Sequence, residues 1–189
     1  MGNKVIICGG NGAGKSTLGK RLAKELGWTF RDIEDYYFPE KDSENKYATG
    51  RTGEEVAELL VEDMKRHENL ILASVRGNHS DEIVSMFTCA VVIEVPKEIR
   101  MERIRNRSYG QFGDRILPGG DLHEQQERFF SMVENRPEDY PTKWLEEVDI
   151  PVIYVDGTKT VEENVNRVAE KIVKEKCNNC SKGSKGSKG

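Results

Sequence analysis

Two rhythms of apolar residues alternate along the chain. Lys4 to Cys8 is a short, nearly unbroken apolar run that stops at a cluster of glycines, and from Lys15 onward Leu18, Leu22 and Leu26 recur on one helical stripe. This predicts strand, loop, helix. A second short strand is expected over Trp28 to Ile33, and the acidic, aromatic stretch Glu34 to Tyr47 has no clear period and reads as a loop. Thr52 and Glu55 have capping-box spacing ahead of Val56, Leu59, Leu60 and Met64, so an amphipathic helix is expected to about His67. Leu70 to Val75 and Cys89 to Val95 are near-continuous apolar runs, the pattern of strands covered on both faces.

Pro96 closes the second of these runs. A charged helix from about Lys97 carries Arg100, Arg103 and Arg107 at intervals of three and four, which predicts one shared face. Ser108 to Asp121 contains four glycines and a proline and reads as a mobile loop. Further helices are expected around Phe129, Phe130 and Val133, and around Trp144, Leu145 and Val148. Pro151 to Val155 is the final strand, and Thr160 with Glu163 caps a last helix bearing Val161, Val165, Val168 and Ile172. One domain over residues 1–174 follows, with a disordered tail over 175–189 made largely of Ser-Lys-Gly triplets. Strands alternating with helices imply an open α/β sheet of about five parallel strands with ligands at its carboxyl edge.

Composition narrows the partners. With 189 residues, 36% apolar and 33% charged, the chain suits a single water-exposed domain. A net charge of −4 argues against broad nucleic-acid binding, and no run is long enough to span a bilayer, so no membrane role and a cytoplasmic location are expected. Ile6 stands where a myristoylation signal needs Ser or Thr. Cys8 and Cys89 lie in apolar runs and read as core residues. Cys177 and Cys180 form one CxxC pair with no second pair to complete a zinc site.

The chemistry sits between the first strand and first helix. Gly9, Gly10, Asn11, Gly12, Ala13, Gly14, Lys15 and Ser16 match GxxxxGK[S/T] in the strand–loop–helix setting that the motif requires. Its glycines let backbone N–H groups of residues 10–14 turn inward on a polyphosphate, and the following helix points its positive end at the same charge. Lys15 would reach the β and γ phosphates of ATP, Ser16 would ligate Mg2+, and Thr17 would contact the α-phosphate. An Asn-Lys-x-Asp segment for guanine is missing, and the run Leu70 to Val75 continues into Arg76 without the carboxylate that large ATPase machines place there.

These residues resemble the P-loop small-molecule kinases, the group of adenylate kinase, shikimate kinase and the nucleoside kinases. They are also similar to a bacterial group of AAA-type P-loop ATPases with Glu-Asp-Tyr-Tyr-Phe and Phe-Gly-Asp-Arg segments, found here at 34–38 and 112–115. The resemblance spans about residues 3–173. It implies a three-layer α/β sandwich, a five-stranded parallel sheet in the order 2-3-1-4-5 with helices on both faces, and a mobile lid. By position, Asp32 resembles the shikimate-kinase aspartate that helps hold magnesium, and Asp35 the nucleoside-kinase aspartate that takes the acceptor's proton. Arg103, Arg107 and Arg115 would supply lid guanidinium groups to the transferred phosphoryl, with Asp121 beside them. Arg51 and Arg76 would flank an anionic small-molecule acceptor, for which a nucleoside monophosphate is one candidate. The alternative is an ATP-binding regulatory protein with slow hydrolysis and a protein partner.

Overall fold

The computed structural model describes residues 2–39 and 50–182, the last of these, 174–182, by backbone alone. Five strands, β1 (Lys4–Cys8), β2 (Thr29–Asp32), β3 (Leu70–Ala73), β4 (Cys89–Glu94) and β5 (Val152–Asp156), form one sheet in the order 2-3-1-4-5. All four pairings are parallel, with Ile6 level with Leu72 on one side and Ala90 on the other. The expected topology is the observed one.

Alternation along the strands divides the core in two, because successive side chains leave a strand on opposite faces. Val5, Ile7, Ile71, Val91 and Ile153 point to the layer made by α1 (Lys15–Leu26) and α7 (Val161–Lys182). Ile6, Cys8, Leu70, Leu72 and Val92 point to the other layer, where α3 (Gly53–Arg66) and α4 (Asp81–Met86) pack with Trp144. The capping boxes at Thr52/Glu55 and Thr160/Glu163 are both formed. Among the described residues no helix is long and apolar enough to cross a membrane.

The structure departs from the sequence pattern in four places. Ile33–Tyr37 is a short helix, α2, where a loop was expected; Asp32 caps it by accepting from Glu34 N at 3.1 Å. The rest of that stretch, residues 40–47, lies outside the described residues. Helix α5 (Lys97–Phe112) runs through Ser108 and Gly110, where a loop was also expected. A lone glycine costs a helix only about 1 kcal/mol, and Ser108 is buried. The chain leaves α5 at Gly113, whose φ is +58°, enters a 3-10 turn (Gly113–Ile116), and forms α6 (His123–Glu134). Residues 143–147 form a 3-10 turn instead of a full helix, and α4, only six residues long and capped by Ser80, carried too little periodicity to be predicted.

Behind β2 a charged network joins α2 and α3. Asp63 is almost fully buried and accepts from the Arg31 guanidinium, from Tyr36 Oη at 2.6 Å, and pairs with His67 Nε2 at 3.3 Å. Burial works to raise the Asp63 pKa, but the bonds from Arg31 and Tyr36 outweigh it and hold the carboxyl below its ordinary value. A depressed carboxyl contributes stability above its unfolded pKa of 3.8 and loses it as pH falls through the folded value. Asp63→Asn should therefore cost about 2 kcal/mol at neutral pH. It should also flatten the loss of stability below about pH 4. Denaturant titrations of both proteins across the acid range check this, and an identical acid limb would exclude the network as its source.

Candidate active site

The loop from Gly9 to Ser16 crosses the carboxyl edge of the sheet between β1 and α1. Two glycines are required by geometry: Gly12 has φ +80°, and a Cβ there would stand 2.5 Å from the Arg100 carbonyl, while Gly14 caps α1 with φ +95°. Gly14 offers no side chain to the helix, so the first-turn amides of α1 have no side-chain cap and face the loop's interior edge. Such a helix end is suited to an anion.

Lys15 and Ser16 follow at once. Lys15 Nζ donates to Gly10 O at 3.0 Å across the mouth of the loop. Burial lowers its pKa to about 8, against the opposing pull of Glu34 and Asp32 and with the help of Arg107. Ser16 Oγ donates to Asp32 Oδ2 at 2.5 Å. The expected magnesium pair is thus in contact, brought together because Ser16 lies in the first turn of α1 and Asp32 ends β2. Two hard oxygens at a helix end, next to the phosphate loop, suit magnesium, which takes its remaining ligands from phosphate and water.

The arginines divide into different tasks. Arg100, Arg103 and Arg107 lie on one side of α5, but Arg100 is buried with Met101, Ile104 and Ser108 while Arg103 and Arg107 are exposed. Arg100 Nε donates to Val95 O at 3.0 Å, and its Nη2 reaches both oxygens of Glu138 at 3.1 and 2.9 Å. Arg103 donates to Gly157 O at 3.0 Å and lines a cavity of 240 Å³ with Thr17, Gly14 and Lys159, behind the phosphate loop. That cavity is set by the 156–159 turn, in which Asp156 Oδ1 accepts from Thr158 N at 2.9 Å and Asp156 O from Asn164 Nδ2 at 2.8 Å. Arg107, one turn further, is close enough for its charge to lower the Lys15 pKa, and it lines with Glu34 a second cavity of 330 Å³ between α2, α5 and α6.

The remaining expected residues are not gathered at that second cavity. Arg115 forms an ion pair with Asp121 at 2.7 Å within the segment after α5. Arg51 Nη1 donates to Tyr36 O at 2.9 Å, and Arg76 stacks 5.5 Å from the centre of the Tyr140 ring. The acceptor clamp expected of these two arginines is not assembled, since each is directed to a different part of the structure. Glu34 and Asp35 are both exposed on α2, 100° apart around the helix, and it is Glu34 that lines the cavity. One functional contact had no sequence signal at all: Arg136, at the end of α6, donates to Asn11 Oδ1 of the loop at 2.6 Å, across 125 positions of sequence.

A family model described as an AAA domain matches residues 5–129. The chain belongs to this AAA-domain family. A Bacillus subtilis member of similar length, the uncharacterized protein YqaC, is 30% identical over 178 residues, covering 90% of this chain and 97% of that one. A probable gluconokinase of Xenopus tropicalis is 32% identical over 75 residues, which covers 40% of this chain and 38% of its own. The fold of the AAA-domain protein is also that of shikimate kinase from Acinetobacter baumannii in complex with shikimate, with a TM-score of 0.56 at 17% identity over 93% of this chain and 96% of that one. The family and the fold together make it a P-loop protein with a kinase-like fold.

The lowered Lys15 pKa gives a test of the loop in this AAA-domain protein. A lysine with a depressed pKa is mostly neutral above that value, and only the ammonium neutralises phosphate. Affinity for ATP should fall by up to about tenfold per pH unit above about pH 8. In Lys15→Ala binding should be weaker and indifferent to pH over that range. Calorimetric titration at several pH values measures both, and a flat wild-type profile would contradict the assignment.

Proposed function

We propose that this AAA-domain protein transfers the γ-phosphoryl group of ATP, with magnesium, to a hydroxyl group of a small molecule. The observation that carries the reading is the 2.5 Å contact between Ser16 and Asp32 beside Lys15. It puts a hydroxyl and a carboxylate together at the loop, where they can hold magnesium against the phosphates, and it supplies the carboxylate that β3 lacks.

ATP provides the reacting phosphoryl group, and magnesium neutralises its oxygens when bound by Ser16 and Asp32. The loop amides and the α1 end hold the β and γ phosphates, and Lys15 bridges them. The cavity behind the loop takes the base, against Arg103, Gly157 and Lys159. Glu34 is the carboxylate we assign to the acceptor proton, since it faces Lys15 and lines the cavity opposite Arg107. The acceptor oxygen bonds to the γ-phosphorus as its proton passes to Glu34, the bond to the β–γ bridging oxygen breaks, and ADP carries away the electron pair. Arg107, from the opposite wall, offsets charge on the transferred group.

Glu34→Gln should reduce kcat by about a hundredfold and leave the KM for ATP within about threefold, while Asp35→Asn stays close to wild type. ADP release with an accepted substrate reports all three proteins. The reverse ranking would return the proton-accepting role to Asp35. Asp32→Asn should shift the magnesium dependence to higher concentration, and an unchanged requirement would remove Asp32 from the metal site.

A further inference from the structure

The 240 Å³ cavity behind the phosphate loop has an apolar floor of Leu18, Ile93 and Val161, and Asn164 of α7 stands in its wall. Asn164 is only 5% exposed. Its Nδ2 donates to Asp156 O at 2.8 Å, and this bond fixes which end of the amide is which, because a carbonyl oxygen can be met only by the NH2 group. The Oδ1 atom is therefore the end left over. It takes no hydrogen bond among the described residues, and it is not sealed in, since the closed side-chain atom without a partner is Gln126 Oε1, elsewhere in the chain. An unpartnered acceptor in an otherwise buried side chain thus opens on the cavity that the residue lines. Native structures keep such groups rarely, and a ligand that completes the bond is one reason to keep one.

We propose that Asn164 Oδ1 accepts a hydrogen bond from the exocyclic amine of adenine and so makes the protein selective for ATP over GTP. Thr17 borders the same cavity at the α-phosphate end of the loop, so a base following that phosphate enters it. The volume suits a purine ring over an apolar floor and is small for a whole nucleotide. The other charged side chains of its wall, Arg103 and Lys159, can only donate, which suits the ring nitrogens of adenine and leaves its amine to Asn164. Guanine matches this wall poorly. It carries an oxygen where adenine carries the amine, and oxygen would then face oxygen. Its own two neighbouring N–H groups call for a carboxylate, and no Asp or Glu lines the cavity among the described residues. Asp156, the nearest in sequence, turns its Oδ1 to Thr158 N and Oγ1.

This inference rests on the reading of the cavity as the base site, and one experiment separates the two. Dissociation constants of the full chain with magnesium are measured by calorimetric titration for ATP, GTP and purine riboside triphosphate, which differs from ATP only in lacking the amine. Wild type should bind ATP about tenfold more tightly than either of the others, the worth of one hydrogen bond to a buried oxygen. In Asn164→Ala the ratio between ATP and purine riboside triphosphate should fall to about one. Loosening of the 156–159 turn through the lost bond to Asp156 O weakens both alike, so the ratio isolates the contact with the base. Should Asn164→Ala fail to fold, Asn164→Leu, which fills the space without the oxygen, is read in the same way. Equal affinity of wild type for ATP and purine riboside triphosphate, a preference for GTP, or a ratio unchanged in the variants would each overturn the inference and leave the nucleotide reading standing. No affinity for any of the three triphosphates would overturn both.

Discussion

A helix that begins against a sheet edge without a side-chain cap leaves its first amides to be satisfied by something else, and this chain is arranged around that constraint. Gly14 caps α1 with a left-handed backbone and nothing more. An Asp or Ser at that position would satisfy the helix itself and occupy the place of an anion. The loop that precedes it must also stay tight, which is why Gly12 cannot carry a Cβ against the Arg100 carbonyl. Once the turn is set, Lys15 and Ser16 have no choice of side: the first turn of α1 aims one at the loop mouth and the other at the end of β2. Binding chemistry and helix start are one structural fact.

Holding that turn rigid falls to residues far away in sequence. Arg100 is fixed by Val95 O and by both Glu138 oxygens, and its backbone braces the outer side of Gly12. Arg136 reaches Asn11 from the end of α6 and stacks 4.8 Å from the centre of the Tyr140 ring, the ring that Arg76 also approaches. The segments that follow β4 therefore do two things at once. They buttress the loop from outside, and through Arg107 and Gln126 they build the wall of the cavity in front of it. A shift of α6 would move brace and wall together, which links loop geometry to acceptor fit.

The sequence makes some of this plain and conceals the rest for identifiable reasons. Strand runs, capping boxes and the GxxxxGK[S/T] loop are local patterns, and the sheet order came with the resemblance they carried. The pairing of Ser16 with Asp32 was readable for the same reason, since each residue ends or begins an element next to the loop. Arginine assignments were less legible. Spacing of three and four along α5 puts Arg100, Arg103 and Arg107 on one side, but it does not say that Arg100 is buried against the loop while the other two stay exposed. Glu34 and Asp35 are neighbours in sequence, and only the short helix α2 decides which of them lines the cavity. Gln126 gave no signal, because a glutamine in a polar helix looks solvated until its burial is seen.

Electrostatics explains why the two ends of the cavity between α2, α5 and α6 differ. Lys15, Asp32, Glu34 and Arg107 place two cations and two anions around the loop mouth, so bringing in a polyphosphate with its metal alters a nearly balanced site. Extending charge deeper into the cavity would upset that balance and admit water. The rings of Phe38, Phe112 and Phe129 along that cavity displace water and strengthen each interaction at the mouth.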